Sequence, residues 1–340
     1  MRPIVRKCSF VFYSVLALSA PAFAAVTITS PANGSDVTSP FTLTATAGTC
    51  SSQTVTSMTY SLDSGSDIAT VSDNTMNLEV SSGIGEHTIH VKAWGDTGAV
   101  CVTDVAVKVT GADGAEALPS NAASVGSIQA IRSWIAGHDA ATHGSSYGST
   151  ALVSTPSRGG SSRRFETHFT NGGGERYHVD LGDDATATNF VYDAWIYIAG
   201  SASGIGRLEM DLNQVMANGE TAIFGFQCDA ASGRWDYTAN RGSAKHYSDL
   251  WVPSRASCDP RSWSVNTWHH VQISYSRNDS GAVTYKTIAL DGRSTTLNAT
   301  VFSAFELHWP RMMIVNFQVG GYGSSGLSTV FVDDLTIQRW

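Results

Sequence analysis

Glu209, Asp211 and Asn213 stand two residues apart in the run Arg207-Leu208-Glu209-Met210-Asp211-Leu212-Asn213-Gln214, which alternates between polar and apolar side chains. In an extended strand this period puts the three polar groups on one face and Leu208, Met210 and Leu212 on the other. Two carboxylates sharing a face raise each other's pKa when water is excluded, as acid/base work on a glycosidic bond requires. An amide at 213 cannot give a proton to a leaving group, so a cleaving enzyme would need its acid from elsewhere, with Glu166 or Asp236 as candidates. The preferred reading is a binding face whose carboxylates accept hydrogen bonds from ligand hydroxyls or pair with Arg207.

A second constellation lies between Cys228 and Cys258, where the segment from Gly233 to Trp251 carries Trp235, Tyr237, Tyr247 and Trp251. A disulfide around these rings would make a pinned surface loop. Trp235 and Tyr237, two apart in a strand, would point the same way, about 7 Å from each other, and stack on the C–H faces of neighbouring sugars. Tyr247 and Trp251 would form the rim, with Asp236, Lys245 and His246 adding hydrogen bonds and Gln227 lying close in sequence. The competing reading is that the rings cover one end of the core.

The start of the chain supplies the compartment. Arg2, Arg6 and Lys7 precede an apolar run from Phe10 to Leu18 and the site Ala22-Phe23-Ala24, the pattern of a secretory signal peptide over residues 1–24. The apolar run is too short to span a bilayer, so a secreted protein, extracellular or periplasmic, is expected without membrane insertion. Cleavage would leave 18 basic against 29 acidic residues, a formal charge of −11. An acidic chain without a basic cluster argues against nucleic acid, and neutral or cationic partners fit better. Four cysteines would remain, and pairing by neighbourhood, Cys50 with Cys101 and Cys228 with Cys258, keeps each bridge inside one domain. Each bridge would contribute roughly 4 kcal/mol by loop entropy. No CxxC spacing suggests zinc.

The elements that must position these groups are strands. Up to Thr110, alternating segments bounded by Gly, Asn, Asp and Ser suit a small antiparallel sandwich over 25–110. A Gly/Ala/Ser-rich linker follows over 111–126, and a domain over 127–340. One short helix is expected there, capped by Ser124, with Val125, Ile128, Ile131, Trp134 and Ile135 at helical spacing before Gly137. From Arg164 onward strand follows strand, at 165–169, 177–181, 189–198, 207–215, 222–228, 269–275, 283–290, 312–319 and 329–338, which argues a two-sheet jelly roll. The fold class is therefore all-β. His269 and His270 alternate faces, so one of them is expected at the surface, and Trp195, Trp263, Trp268, Trp309 and Trp340 are read as packing groups.

Two resemblances sharpen this. Ile28-Thr29-Ser30-Pro31-Ala32-Asn33-Gly34, Phe41-Thr42-Leu43-Thr44-Ala45 and Gly85-Glu86-His87-Thr88-Ile89-His90-Val91 resemble bacterial immunoglobulin-like modules, which implies a spacer or adhesion domain. Asn266-Thr267-Trp268-His269-His270-Val271-Gln272-Ile273, Leu290-Asp291-Gly292 and Val330-Phe331-Val332-Asp333-Asp334-Leu335-Thr336-Ile337 resemble strands of the concanavalin A-like, laminin-G-like (LamG-like) superfamily. Its members include lectins, carbohydrate-binding modules, glycoside hydrolases and polysaccharide lyases. Within it, the Glu209 strand is similar to the Glu-x-Asp-x-Glu strand of β-glucanases, with Asn213 in place of the second Glu, or Gln214 if the strand bulges. Arg164-Phe165-Glu166-Thr167-His168, Phe226-Gln227-Cys228 and Tyr285-Lys286 follow the order of the alginate-lyase strands, which would make Arg164, His168, Gln227 and Tyr285 the eliminating set. Asp334 stands where related jelly rolls place a structural calcium ligand, and no other cofactor is expected. The resulting expectation is a monomeric, secreted protein that binds an extracellular polysaccharide or glycan. A glycoside hydrolase using Glu209 and Asp211, a lyase, and an adhesin that binds protein are the alternatives.

Overall fold

The structure is a computed structural model that describes residues 26–63, 67–80, 82, 85–112, 118–119, 121–182 and 184–340. The signal-peptide reading of 1–24 lies outside the described residues, as do 113–117 and 120 of the expected linker. Buried apolar side chains gather in two clusters, one drawn from Val26 to Val109 and the other from Ile128 to Ile337.

The N-terminal part is a sandwich. A three-stranded sheet, Val26–Ser30, Phe41–Ala47 and Thr75–Val80, faces a larger sheet built on Gln53–Leu62, Gly85–Gly95 and Val100–Ala112. Alternation explains the layers: Leu43 and Ala45 point inward to meet Met58, Val91 and Val107, while Thr42 and Thr46 face solvent. Cys50 and Cys101 are bridged.

The C-terminal part is a larger two-sheet sandwich. Its back sheet runs in the order Ser145–Val153, Ser162–Thr170, Ser325–Arg339, Asn189–Ile198, Trp268–Arg277, Ala282–Leu290, Arg293–Phe302. Its front sheet runs Ile135–His138, Gly174–Asp180, Met313–Gly321, Ile205–Val215, Phe226–Asp229, Arg234–Asn240, Asp249–Ser257. Between them pack Phe165, Tyr177, Phe190, Leu208, Phe224, Phe226 and Phe317, among others. The expected helix after Ser124 is absent. Ala123–Val125 is a strand paired with the closing strand, and Ile128–Ala130 is a single 3₁₀ turn. Ser127 has φ 53°, which an α-helix cannot contain, and Ile135, expected on the apolar face, is exposed. Side-chain bonds fix this path: Arg163 donates to the carbonyls of Gln129 (2.8 Å) and Ile131 (2.6 Å).

Asp333 ties the closing strand to the rest of the sandwich. Its buried carboxylate accepts from Ser157 Oγ (2.9 Å), the Arg158 amide (2.5 Å), the Gly159 amide (3.2 Å) and Gln129 Nε2 (3.1 Å). This holds the loop after Thr155 so that the Arg158 guanidinium lies 3.4 Å over the ring of Trp195, which stacks in turn on His270. Asp193 accepts from His270 and Gln272 beneath. The N-terminal sandwich closes over the same region: Tyr60 lies within electrostatic reach of Arg158, and Gly292 (φ 77°) sits so near Pro40 that a Cβ there would be 2.1 Å from the proline ring.

Asp334, expected as a calcium ligand, sits on the closing strand beside a buried cation. It occupies a bulge at φ 49°, and its carboxylate faces Arg158 Nε at 3.6 Å, a cation where a metal site needs converging oxygens. Among the described residues no group of three or more His, Cys, Asp or Glu could hold a metal ion. No helix among them is long and apolar enough to cross a membrane.

Candidate functional site

The strand Ile205–Val215 lies in the middle of the front sheet, and from Arg207 onward it pairs with Met313–Gly321 without a bulge. Leu208, Met210 and Leu212 enter the core; Glu209, Asp211 and Asn213 therefore face outward together. Asn213, not Gln214, occupies the third position of that face. Gln214 points inward and binds the carbonyls of Asp184 (2.7 Å) and Ala187 (2.9 Å).

Register extends the face across the sheet. Arg176, Gln318, Glu209, Gln227 and Asp236 are successive cross-strand partners on five neighbouring strands, and His178, Asn316 and Asp211 form the next row. Four interstrand spacings make the first row about 19 Å long. Most of its members are bound to neighbours: Gln318 donates to Asp139 (3.0 Å), and Asp236 accepts from Ser232 (2.9 Å) and Gln227 (3.4 Å). Asp211 accepts from the Phe226 amide at 3.2 Å and from Asn316. Two buried acceptors on this face, Asn213 Oδ1 and Gln227 Oε1, have no hydrogen-bond partner. A buried acceptor left open costs about 1–3 kcal/mol, and both would gain an outside donor only if the side chains enclosing them move aside.

Glu209 and Asp211 are hydrogen-bonded to each other, and both carboxyls are held above their usual range. Burial, followed by the adjacent Asp211 charge, raises the Glu209 carboxyl well above the usual carboxylate range. Burial also pushes Asp211 up to about 6, against the pull of its hydrogen bonds from Glu209, Phe226 and Asn316. Asp236 is likewise raised, mainly by burial. Beside the pair a cavity of about 210 Å³ is walled by Trp309, Pro310, Met312 and Ile314 on one side and Arg176, His178 and Asn316 on the other. Burial and the neighbouring Arg176 lower the pKa of His178. Trp309, read from sequence as a packing group, lines this cavity instead. Its signal was slight, because nothing in the segment 306–312 reveals that it returns over the front sheet.

The aromatic site is not assembled. The pinned segment is mostly sheet: Arg234–Asn240 and Asp249–Ser257 extend the front sheet by two strands, joined by a loop over 241–248 that carries Tyr247, with Cys228 and Cys258 bridged at the root. Trp235 is 2 % exposed and packs on Phe226 (5.3 Å) and Trp263 (6.2 Å). Tyr237 also turns inward, onto Tyr285 at 4.9 Å. The parity that buries these two rings is what turns Asp236 outward into the polar row. Trp251 is half-buried, its ring 3.2 Å from where a Cβ of Gly225 would stand, and Tyr247 alone is well exposed, edge-on to Phe305.

The lyase set is divided between the two sides of the sandwich. Arg164, Glu166 and His168 lie on the back sheet, Gln227 on the front sheet, and Tyr285 in the core with its hydroxyl near Thr238 (3.0 Å). Glu166, paired with Arg164 at 3.1 Å, is thus also removed as an acid partner for Glu209, whereas Asp236 stays on the same row. Both His269 and His270 are buried, against the expectation that one is exposed. His269 lines a cavity of about 370 Å³ with Trp263, Asp259 and Asp291, which sequence reasoning missed. Burial opposes its charge, but bonds to Asp291 (2.8 Å) and the Ser264 carbonyl (2.9 Å) outweigh it and raise its pKa. With both ring nitrogens engaged, it has no free position for acid–base work.

Residues 25–91 match the family model of a bacterial Ig domain. No curated protein matches the chain. Among solved structures, a cellulose-induced protein is similar at 16 % identity and TM-score 0.35, covering 60 % of this chain and 90 % of its own. A family 11 carbohydrate-binding module from Clostridium thermocellum, in complex with a mixed-linked tetrasaccharide, is similar at 12 % identity and TM-score 0.28, covering 64 % and 94 %. An alginate lyase is similar at 11 % identity and TM-score 0.30, covering 57 % and 85 %.

Proposed function

We propose that the protein is a secreted carbohydrate-recognising protein, in which an N-terminal immunoglobulin-like spacer carries a concanavalin A-like jelly roll that binds an extracellular polysaccharide on its front sheet. The observation that carries this reading is the in-register polar row Arg176, Gln318, Glu209, Gln227 and Asp236, with two unpartnered acceptors on the same face and an aromatic-walled cavity at its end. A polysaccharide presents alternating hydroxyl donors and C–H faces over a comparable length. Its hydroxyls would donate to Asn213 Oδ1, Gln227 Oε1 and the ionised member of the acid pair, and a sugar ring would lie against Trp309. Two disulfides and an acidic chain fit an exported protein with a neutral or cationic ligand.

An Asn213→Ala, Gln227→Ala double variant is expected to bind its polysaccharide at least about tenfold more weakly, because it removes two acceptors the fold leaves unused, and to lose some stability with the Gln227–Asp236 hydrogen bond and the buried side-chain volume. Affinity electrophoresis against a panel of soluble polysaccharides reads this directly, and undiminished retention on all of them would sink the reading.

One observation favours a second reading, hydrolysis. Burial and the adjacent Asp211 raise the Glu209 carboxyl well above the usual range, and Asp236 stands two strands away, a backbone separation of about 10 Å that suits an inverting pair better than a retaining one. Mass spectrometry of a polysaccharide digest decides it: soluble oligosaccharides that disappear with Glu209→Gln would make the same row catalytic.

A further inference from the structure

Tyr147, on the open edge strand of the back sheet, is 68 % exposed and lies flat against His168 of the next strand, with ring centroids 4.5 Å apart and planes within 8°. The register carries the row on to Leu327 in the third strand, itself 54 % exposed. Rows of short polar side chains flank it: Ser145, Thr170 and Ser325 on one side, Ser149, Glu166 and Thr329 on the other. The Glu166 charge is met by Arg164. A groove of about 330 Å³ opens along the first of these rows, lined by the two rings and by Ser145, Ser146, Thr170 and Ser325.

We propose that this stripe is a second sugar-contact surface, a platform on which pyranose rings of a neutral polysaccharide stack, on the opposite side of the sandwich from the Glu209 row. The shape selects the ligand class. An apolar band one residue wide between two hydroxyl rows does not offer the contiguous apolar area that a protein interface buries. It does match a sugar chain, whose C–H face needs a flat ring and whose equatorial hydroxyls need short donors and acceptors beside it. The stripe spans two interstrand spacings, about 10 Å, the length of a disaccharide. Charge agrees: neither carboxylate nor ammonium lines the groove, although the chain carries a net charge of −8. Among the described residues, the charges beside the stripe, Glu166 and Arg164, neutralise each other.

This inference stands apart from the front-sheet reading, and the two are tested on the same material. Wild type, Tyr147→Ala/Leu327→Ala, Tyr147→Phe and Asn213→Ala/Gln227→Ala proteins are compared for retention on insoluble and soluble neutral polysaccharides. The Tyr147→Ala/Leu327→Ala variant is expected to lose roughly tenfold in affinity for at least one of them, and Tyr147→Phe to keep it, because stacking needs the ring and not the hydroxyl. Since both side chains are exposed, its melting temperature should match wild type. Unchanged retention of that variant on every polysaccharide would overturn the proposal whatever the front-sheet variant does. A concentration-dependent wild-type dimer that the Tyr147→Ala/Leu327→Ala variant no longer forms would overturn it as well, by assigning the stripe to a second copy of the chain.

Discussion

Trp235→Ala is expected to destabilise the C-terminal sandwich by about 3–5 kcal/mol, the cost of removing a fully buried indole and leaving a cavity. The ring is 2 % exposed and wedged between Phe226 and Trp263, and its cross-strand partner is Cys228, so its surroundings cannot collapse without moving the bridge to Cys258. Tyr247→Ala, at an exposed ring that meets only the edge of Phe305, should cost less than about 0.5 kcal/mol. Urea unfolding with the disulfides intact measures both. A ring held for sugar stacking would give the opposite pattern, with affinity lost and stability kept. A loss below about 1 kcal/mol for Trp235→Ala would contradict the packing described above.

The second large effect is on the pH dependence of stability. The folded protein holds Glu209 and Asp211 protons that the unfolded chain, with ordinary carboxylates, releases, so the folded state binds more protons above about pH 4. Stability from this pair is therefore fully present at low pH. It declines as the pH rises from the ordinary carboxylate range, through about 6 for Asp211 and onward to the higher pKa of Glu209. Glu209→Gln puts a permanent donor beside Asp211 and removes the Glu209 share of that decline, leaving the part due to buried Asp211. Near pH 5 the variant and wild type should have similar stability, and by pH 8 the variant should be the more stable. Denaturation series at several pH values, taken as the difference between the two proteins, cancel all other titrating groups. Parallel curves would mean that the pair is ionised in the folded state.

The central strands were legible because their cores alternate. Asn189–Ile198, Ile205–Val215 and Ala282–Leu290 fall almost residue for residue where the period of two places them, since an inner strand must send every second side chain into the other sheet. The strands that escaped are at or near the edges: Ile135–His138, Ser145–Val153, Asp249–Ser257 and Arg293–Phe302. An edge strand buries little, so Ser, Thr and Arg can occupy both faces and the pattern fades. The same physics governed the site. Glu209, Asp211 and Asn213 were found together because their own strand fixes their face. Arg176, Gln318 and Asn316 were not, because only strand pairing brings them alongside, and register is a property of two segments at once. Trp235 and Tyr237 were assigned one shared face, as the structure has it, but that face was taken to be the outer one. Alternation fixes relative direction, while the sheet's contacts decide which side is solvent. The missing helix reflects a local pattern overridden by distant bonds, those of Gln129 with Asp333 and Leu335 and of Arg163 with the carbonyls of Gln129 and Ile131.

The column of Arg158, Trp195 and His270, roofed by the N-terminal sandwich near Tyr60 and Pro40, bears on how the molecule would carry a load. A spacer on a slack tether lets its binding head swing freely and search in all directions. Here a buried cation is clasped between the two parts, and the closing strand that anchors it through Asp333 runs the height of the back sheet. Tension drawn from the N-terminal end would reach the C-terminal sandwich as torque, turning the two parts together, as a bracket does and a leash does not.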